Sequence, residues 1–230
     1  IYLSKINRIK LILVDNNEKN IFYLKKKLTG SNINFYLGDI KDKNFLEKIF
    51  EDADIVINLA ANKYIELCEI SPEETINNNI IGLMNVISVA KSKKIKKILF
   101  TSSDKAANPT NVLGTSKLMG EKLITAANNI YNTTHTKKNS SIFSSVRFGN
   151  VINSNGSVVE VFKYQIDNNL DLTLTDPEMT RFFMNVDECI SIILTATYYS
   201  NGGEVFVPKM NSIKIKDLAE IFVSLSKKRI

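Results

Sequence analysis

The order of apolar runs along this chain constrains its fold more than any other feature. Short apolar blocks at residues 10–14, 34–37, 55–59, 98–101 and 144–147 read as strands. Segments with helical spacing separate them, at 18–28, 44–50, 72–91 and 116–129. The third of these carries Ile76, Ile80, Leu83, Met84, Ile87 and Ala90 along its length. A strand flanked by helices has no hairpin partner, so it pairs parallel to its neighbours through crossover connections. Leu11-Ile12-Leu13-Val14 and Ile98-Leu99-Phe100 are continuously apolar rather than alternating, as in strands covered on both faces. The expected fold class is therefore α/β, a doubly wound parallel sheet with helices on both sides. After Phe148 the pattern loosens. Helices are expected at 158–168, 186–198 and 215–226, with short strands at 172–174 and 203–208. Residues 1–150 form the expected main domain. Residues 151–230 form a smaller part, partly interleaved with the sheet.

The 230 residues suit one such domain with a small appendage. Cys68 and Cys189 stand far apart, in no ligand spacing, and read as reduced buried thiols, which suits a cytoplasmic enzyme. His135 is the one histidine and falls in a polar stretch read as a loop, so no multi-histidine metal site is available. The net charge of +6 comes from lysine clusters at 25–27, 91–97 and 227–229, each on or beside an expected helix. No aromatic residues interleave with them, which argues against a nucleic-acid partner. No apolar run approaches the roughly 18 residues needed to span a bilayer.

Chemistry concentrates in the segment after the fourth strand. Thr101-Ser102-Ser103-Asp104-Lys105-Ala106-Ala107-Asn108-Pro109 puts hydroxyls, an acid and an amine at a strand end. Ligands of open α/β sheets bind there. Leu113-Gly114-Thr115-Ser116-Lys117 then opens a helix, with Leu113 and Lys117 on one face. The segment resembles the active-site region of nucleotide-sugar 4,6-dehydratases in the extended short-chain dehydrogenase/reductase group. The branch it resembles is that of the UDP-N-acetylglucosamine 4,6-dehydratases and CapD-like polysaccharide biosynthesis proteins. The resemblance runs from about Leu11 to Glu220.

It implies a Rossmann-type, NAD-binding sheet with a C-terminal substrate part, and roles for individual residues. Asp104 would protonate the departing C6 hydroxyl, and Lys105 would take the C5 proton. Ser103 would meet the sugar 4-hydroxyl. Burial and a second cation, Lys117, would lower the pKa of Lys105. Lys117 would hold the nicotinamide ribose. The family's tyrosine, four residues before that lysine, is here Leu113, so the usual base for the 4-hydroxyl is missing. Proton release would then run through Ser103, water or Lys117. Asp15, ending the first strand, would accept hydrogen bonds from the adenosine ribose; a carboxylate there repels a 2′-phosphate, which favours NAD over NADP. Asp39 would meet the adenine, and Ala60 would let the backbone approach the cofactor. Asn79 would brace the active-site strand. Lys63, Asn150 and Arg181 would face the UDP-sugar, Arg181 by bidentate bonds to its diphosphate.

One part of the pattern is missing. A dinucleotide fold carries its glycine-rich turn about 20 residues before the acid on the second strand. The first glycine here is Gly30, after Asp15. The sheet is therefore expected to lack its first strand, leaving a gap in its middle, in a fragment of a longer protein. The longer form is expected to be a homo-oligomer, with a membrane anchor an open alternative. The leading function is dehydration of UDP-N-acetylglucosamine. A nucleotide-sugar 4-epimerase and an inactive sugar-nucleotide-binding relic are the alternatives.

Overall fold

The computed structural model of the chain describes residues 2–6, 8–134, 141–152 and 156–226. His135 and the lysine cluster at 227–229 lie outside the described residues. The first half alternates as its apolar runs dictate: β1 (Leu11–Asp15), α1 (Glu18–Lys27), β2 (Ile33–Leu37), α2 (Lys43–Ile49) and β3 (Ile55–Asn58). Asn17 and Asp42 cap α1 and α2, their side-chain oxygens accepting from the N–H groups of Asn20 and Phe45. A short α3 (Ile65–Ile70) follows, then α4 (Pro72–Ile76), with Pro72 at its first turn. α4 continues through a π-helical turn, Asn77–Gly82, into α5 (Leu83–Ser92). The helix expected at 72–91 is thus one rod with a wider turn in its middle.

β4 (Lys97–Ser103) leads through a 3₁₀ turn, Asp104–Ala106, to α6 (Val112–Thr134), which starts four residues before the expected 116. β5 (Ile142–Phe148) and β6 (Asn150–Val151) come next, then α7 (Val158–Asp167), β7 (Thr180–Met184) and α8 (Val186–Tyr199). β8 (Val205–Phe206), β9 (Asn211–Lys214) and α9 (Ile215–Ser226) complete the chain's described elements. Asn185 and Glu188 close a reciprocal capping box at the start of α8. Lys97 caps its other end, donating to the carbonyls of Thr197 and Tyr198 at 2.7 and 2.8 Å.

The main sheet is parallel and in two pieces, β2-β1 and β3-β4-β5-β8. Both pieces rest on one core. Ile98 and Phe100 of β4, Leu83, Val86 and Ala90 of α5, and Leu46 and Ile49 of α2 are buried together. Ile12 and Val14 of β1 and Val56 of β3 pack half-buried against the same cluster. Each fully buried Leu, Ile or Val contributes about 1.5–3 kcal/mol. On the sheet's other face, Leu99, Val146 and Ala196 are buried, with Ile192 and Ile193 of α8 against them.

A third sheet, β6-β7-β9, stands beside the second cluster of Phe162, Phe183, Ile215 and Ala219. The strand expected at 172–174 does not form. Leu172 instead lays its side chain against this cluster, and its three residues find no ladder. The strand that pairs here is β7, antiparallel to β9, with Arg181 opposite Ile213. Both cysteines are buried and free. Among the described residues no helix is long and apolar enough to cross a membrane.

Candidate active site

β4 emerges at its C-terminal end as Ser103, and the chain tightens at once into the 3₁₀ turn. The Ser103 hydroxyl donates to Asp104 Oδ1 at 2.8 Å, and Lys105 Nζ reaches the same oxygen at 3.0 Å. One carboxylate oxygen therefore joins a hydroxyl and an amine. Both charged side chains are largely shielded, with 13% of Asp104 and 21% of Lys105 exposed. The turn is held against α6 by a close approach. A Cβ on Gly114 would lie 2.6 Å from the Lys105 carbonyl oxygen, so no larger residue fits without moving one of the two. Asn111 caps the start of α6 by accepting from the Gly114 N–H at 2.8 Å.

Asp104 and Lys105 line a cleft of ≈ 250 Å³ whose opposite wall is β7. Arg181 and Phe182 line that wall, Ser212 of β9 lies beside them, and Ile65 of α3 closes an edge. Arg181 Nη1 donates to the Thr180 carbonyl at 2.9 Å. The acids near it in sequence are engaged elsewhere: Glu178 pairs with Lys214 at 2.9 Å, and Asp176 accepts from the Glu178 N–H. The structure thus brings three of the sequence-derived residues, Asp104, Lys105 and Arg181, to one concavity.

Lys117 lies behind this cleft rather than lining it. It is 7% exposed, and its Nζ donates to the Thr101 carbonyl at 2.9 Å, 5.0 Å from the centre of the Phe100 ring. Burial pushes its pKa down to about 8. Leu113 is buried one turn earlier on the same helix. One turn later stands Glu121, 4% exposed. It accepts from Ser102 Oγ at 2.6 Å and takes a bidentate pair from Arg147 of β5, both contacts 2.8 Å. The carboxylate raises the pKa of Arg147. Sequence reading passed over Glu121. The available signal was an acid four residues after Lys117, on the same face of the helix.

Asn79 projects from the π-helical turn. Its Oδ1 accepts from the Asn62 N–H at 2.7 Å, and its Nδ2 donates to the Asn62 carbonyl and to Ser116 Oγ, at 3.1 and 3.0 Å. It ties the turn after β3 to α6. Ser116 lies beside Lys117 in sequence, so this brace and the buried amine share one helix.

The residues expected on the cofactor side sit at or just past the C-terminal ends of parallel strands. Asp15 accepts from the Asn17 N–H at 2.8 Å and from Asn20 Nδ2 at 3.0 Å. Asp39 accepts from the Lys41 N–H at 2.8 Å and from Asn16 Nδ2 at 3.2 Å. A carboxylate offers about four lone-pair sites, so each keeps acceptor capacity for ribose or adenine groups. The Ala60 N–H donates to Asn58 Oδ1 at 3.2 Å in the turn that Asn79 braces. Lys63 is exposed, its Nζ 5.3 Å from the centre of the Tyr64 ring. Asn150 is engaged on β7, donating to the Phe182 carbonyl at 3.1 Å. Among the described residues no group of three acidic, histidine or cysteine side chains is placed to hold a metal ion.

Known proteins are similar to this chain over nearly its whole length. A family model described as "Polysaccharide biosynthesis protein" matches residues 2–230. A UDP-N-acetylglucosamine 4,6-dehydratase (inverting) of Campylobacter jejuni is 37% identical over 211 residues, covering 91% of this chain and 62% of the relative. A UDP-glucose 4-epimerase of Rickettsia bellii is 37% identical over 218 residues, covering 95% of this chain and 62% of the relative. The X-ray structure of Pen from Bacillus thuringiensis superposes with a TM-score of 0.89 at 37% identity, over 95% of this chain and 67% of that one. The chain spans less than two thirds of the length of these two curated relatives. With its sheet, its Asp104–Lys105 turn and a match over nearly every residue, the chain belongs to the polysaccharide biosynthesis protein family of nucleotide-sugar dehydratases and epimerases.

Proposed function

We propose that this chain carries the catalytic centre of a nucleotide-sugar 4,6-dehydratase acting on UDP-N-acetylglucosamine with NAD. The observation that carries this reading is the Ser103–Asp104–Lys105 cluster, whose two charged residues share one cleft with Arg181. NAD, which Asp15, Asp39 and Lys117 would hold, would supply the acceptor for the C4 hydride and the donor for its return to C6. The protein's share is proton traffic. Elimination across C5 and C6 needs an amine to take the C5 proton and an acid to protonate the departing hydroxyl. Asp104 and Lys105 touch as carboxylate and ammonium. One proton passed along their 3.0 Å contact makes them carboxylic acid and free amine, the forms the elimination requires. Reprotonation of C5 from the opposite face would give inversion.

The 4-hydroxyl proton has a route although Leu113 replaces the tyrosine. Ser103 accepts it as its own proton leaves to water, so that the Asp104 carboxylate stays available for the proton of Lys105. Arg181, on the facing wall, offers paired N–H donors to the diphosphate. In this reading residues 1–150 hold the cofactor and residues 151–230 the substrate. Lys63 and Asn150 lie on the substrate side, and the whole protein is a cytoplasmic homo-oligomer. Asp15 selects NAD over NADP by repelling a 2′-phosphate.

The test is to incubate the protein containing this chain with UDP-N-acetylglucosamine and follow the products by NMR and mass spectrometry. A 4-keto-6-deoxy sugar, lighter by one water, is expected. A second reading, 4-epimerisation, draws on the Rickettsia relative; it gives a product of unchanged mass inverted at C4, and that outcome would replace the dehydratase assignment. Ser103→Ala is expected to lower the rate of sugar oxidation at least about 100-fold, the scale of a lost general base, and normal oxidation in that variant would remove Ser103 from the proton route.

A further inference from the structure

The helix that carries Lys117 begins with a side chain whose orientation is fixed. Asn111 Oδ1 accepts from the Gly114 N–H at 2.8 Å, and the Asn111 carbonyl accepts from the Thr115 N–H at 3.0 Å. A backbone N–H only donates, so the oxygen of the side-chain amide has to face it. The amide nitrogen, Nδ2, is thereby turned the other way. It has no partner among the described residues, and Asn111 lines the cleft that holds Asp104, Lys105 and Arg181. Asn108 and Thr110 line the same cleft, but no hydrogen bond among the described residues holds their side chains. The amide of one can turn over and the hydroxyl of the other can rotate. Asn111 is different: it is a donor that cannot become an acceptor.

An apolar group stands next to this donor. Glu69 Oε1 accepts from the Val112 N–H at 2.6 Å, which sets α3 against the first turn of α6. Ile65 lies four residues earlier on α3, on the same face as Glu69. It is 38% exposed and is the one aliphatic side chain among the described residues that line the cleft. The ligand feature that matches is an acceptor without a proton of its own, beside a small apolar group. A sugar hydroxyl is a poor match, because it donates as readily as it accepts and carries no carbon beyond the ring. An acetamido group fits. Its carbonyl oxygen only accepts, and its methyl is bonded to the carbon that bears that oxygen.

We propose that Asn111 and Ile65 form the subsite for the 2-acetamido group of the substrate, with Nδ2 donating to the acetamido carbonyl and the Ile65 side chain covering the methyl. The proposal rests on the reading that a UDP-sugar occupies this cleft, and it adds the groups that tell an N-acetylhexosamine from a plain hexose. Both residues set specificity and take no part in moving the hydride or the protons. A plain hexose that covers Asn111 leaves its donor without a partner, and that cost adds to the discrimination.

The test compares the affinities of the protein containing this chain for UDP-N-acetylglucosamine and UDP-glucose. Calorimetry without added NAD reads binding apart from turnover. Wild type is expected to bind the N-acetyl sugar at least about 30-fold more tightly, about tenfold from the hydrogen bond and about threefold from the methyl. Asn111→Asp and Asn111→Ser both keep an oxygen for the Gly114 N–H, since asparagine, aspartate and serine cap helices about equally well. Both remove the amide donor. Each is expected to lower the ratio of the two affinities about tenfold, while unfolding at a urea concentration near that of wild type. The added charge of the aspartate acts on both nucleotides alike and cancels in the ratio. Ile65→Ala is expected to lower the ratio about threefold. Equal affinities in wild type, or an unchanged ratio in the Asn111 variants or in Ile65→Ala, would overturn the subsite, and would do so alone where wild type still forms the dehydrated product. A preference that is present in wild type and lost in the variants, without any dehydrated product, would uphold the subsite and overturn the reaction assignment. Binding of neither nucleotide would overturn both.

Discussion

Lys117 shows how much a single side chain is asked to do. Its amine is buried, with one main-chain acceptor, and its pKa is drawn from 10.5 to about 8. The sign of the consequence follows from proton counts. Between pH 8 and 10.5 the unfolded chain holds the proton more often than the folded one, so stability rises with pH across that window. Below it, both states are protonated and the full burial cost stands, about 3 kcal/mol. Lys117→Met removes the charge and keeps the volume. In urea unfolding, wild type is expected to gain about 3 kcal/mol on this variant between pH 7 and 10.5. A gap that does not change with pH would mean that the amine is solvated in the folded chain. At this scale the sequence carried the residue types, since Asp104, Lys105 and Lys117 stand in a recognisable spacing. It did not carry the acceptor of Lys117. That acceptor is the Thr101 carbonyl, a group every residue possesses, so no side chain announces it. The two lysines also keep separate company: Lys105 pairs with Asp104, whereas Lys117 finds a carbonyl and a ring face.

Among the elements, the contact between α6 and the 3₁₀ turn is the tightest constraint on the site. Gly114→Ala places a methyl group 2.6 Å from a backbone oxygen that has no rotamer to escape with. It is expected to cost about 1–3 kcal/mol in stability and to lower activity by shifting Lys105, measured by urea unfolding and by product formation. Unchanged values for both would show that the turn gives way freely. The π-helical turn is a different lesson. The apolar positions of 72–91 fit an ordinary helix, so nothing in their spacing reveals the wider turn. What it accomplishes is visible only in space: Asn78 and Asn79, adjacent in sequence, both reach Asn62. The pairing of β7 with β9 was equally hidden, because it joins segments some 30 residues apart by backbone bonds. The strand expected at 172–174 had suitable residues but no partner.

Across the whole molecule, stability is graded from the middle of the four-stranded sheet outward. β4 has neighbours on both sides and buried residues along most of its length, while β1 has one neighbour and none fully buried. Native-state hydrogen exchange is expected to be slowest at Ile98–Thr101 of β4 and at least about 100-fold faster in β1, since local opening follows burial and pairing. Comparable rates would show that the break is sealed in solution. The Glu121–Arg147 pair crosses from α6 to β5 while Ser102 reaches Glu121 from β4. Glu121→Ala leaves a mostly buried guanidinium unpaired and is expected to cost about 3–5 kcal/mol, read from chemical denaturation; a loss under 1 kcal/mol would mean that water replaces the carboxylate. The parallel architecture was legible at this scale because alternation of apolar periods is a property of the entire chain. The third sheet was less so, since its strands are short and both of its pairing registers depend on the loops between them.

α6 is 23 residues long and offers one face to three different neighbours. Ser116 meets the asparagine brace, Lys117 meets the end of β4, and Glu121 meets the arginine of β5. Because a helix transmits displacement along its axis almost undiminished, these attachments behave as teeth on one key. Substitutions scattered over distant parts of the fold that loosen any one of them should therefore produce a common biochemical phenotype.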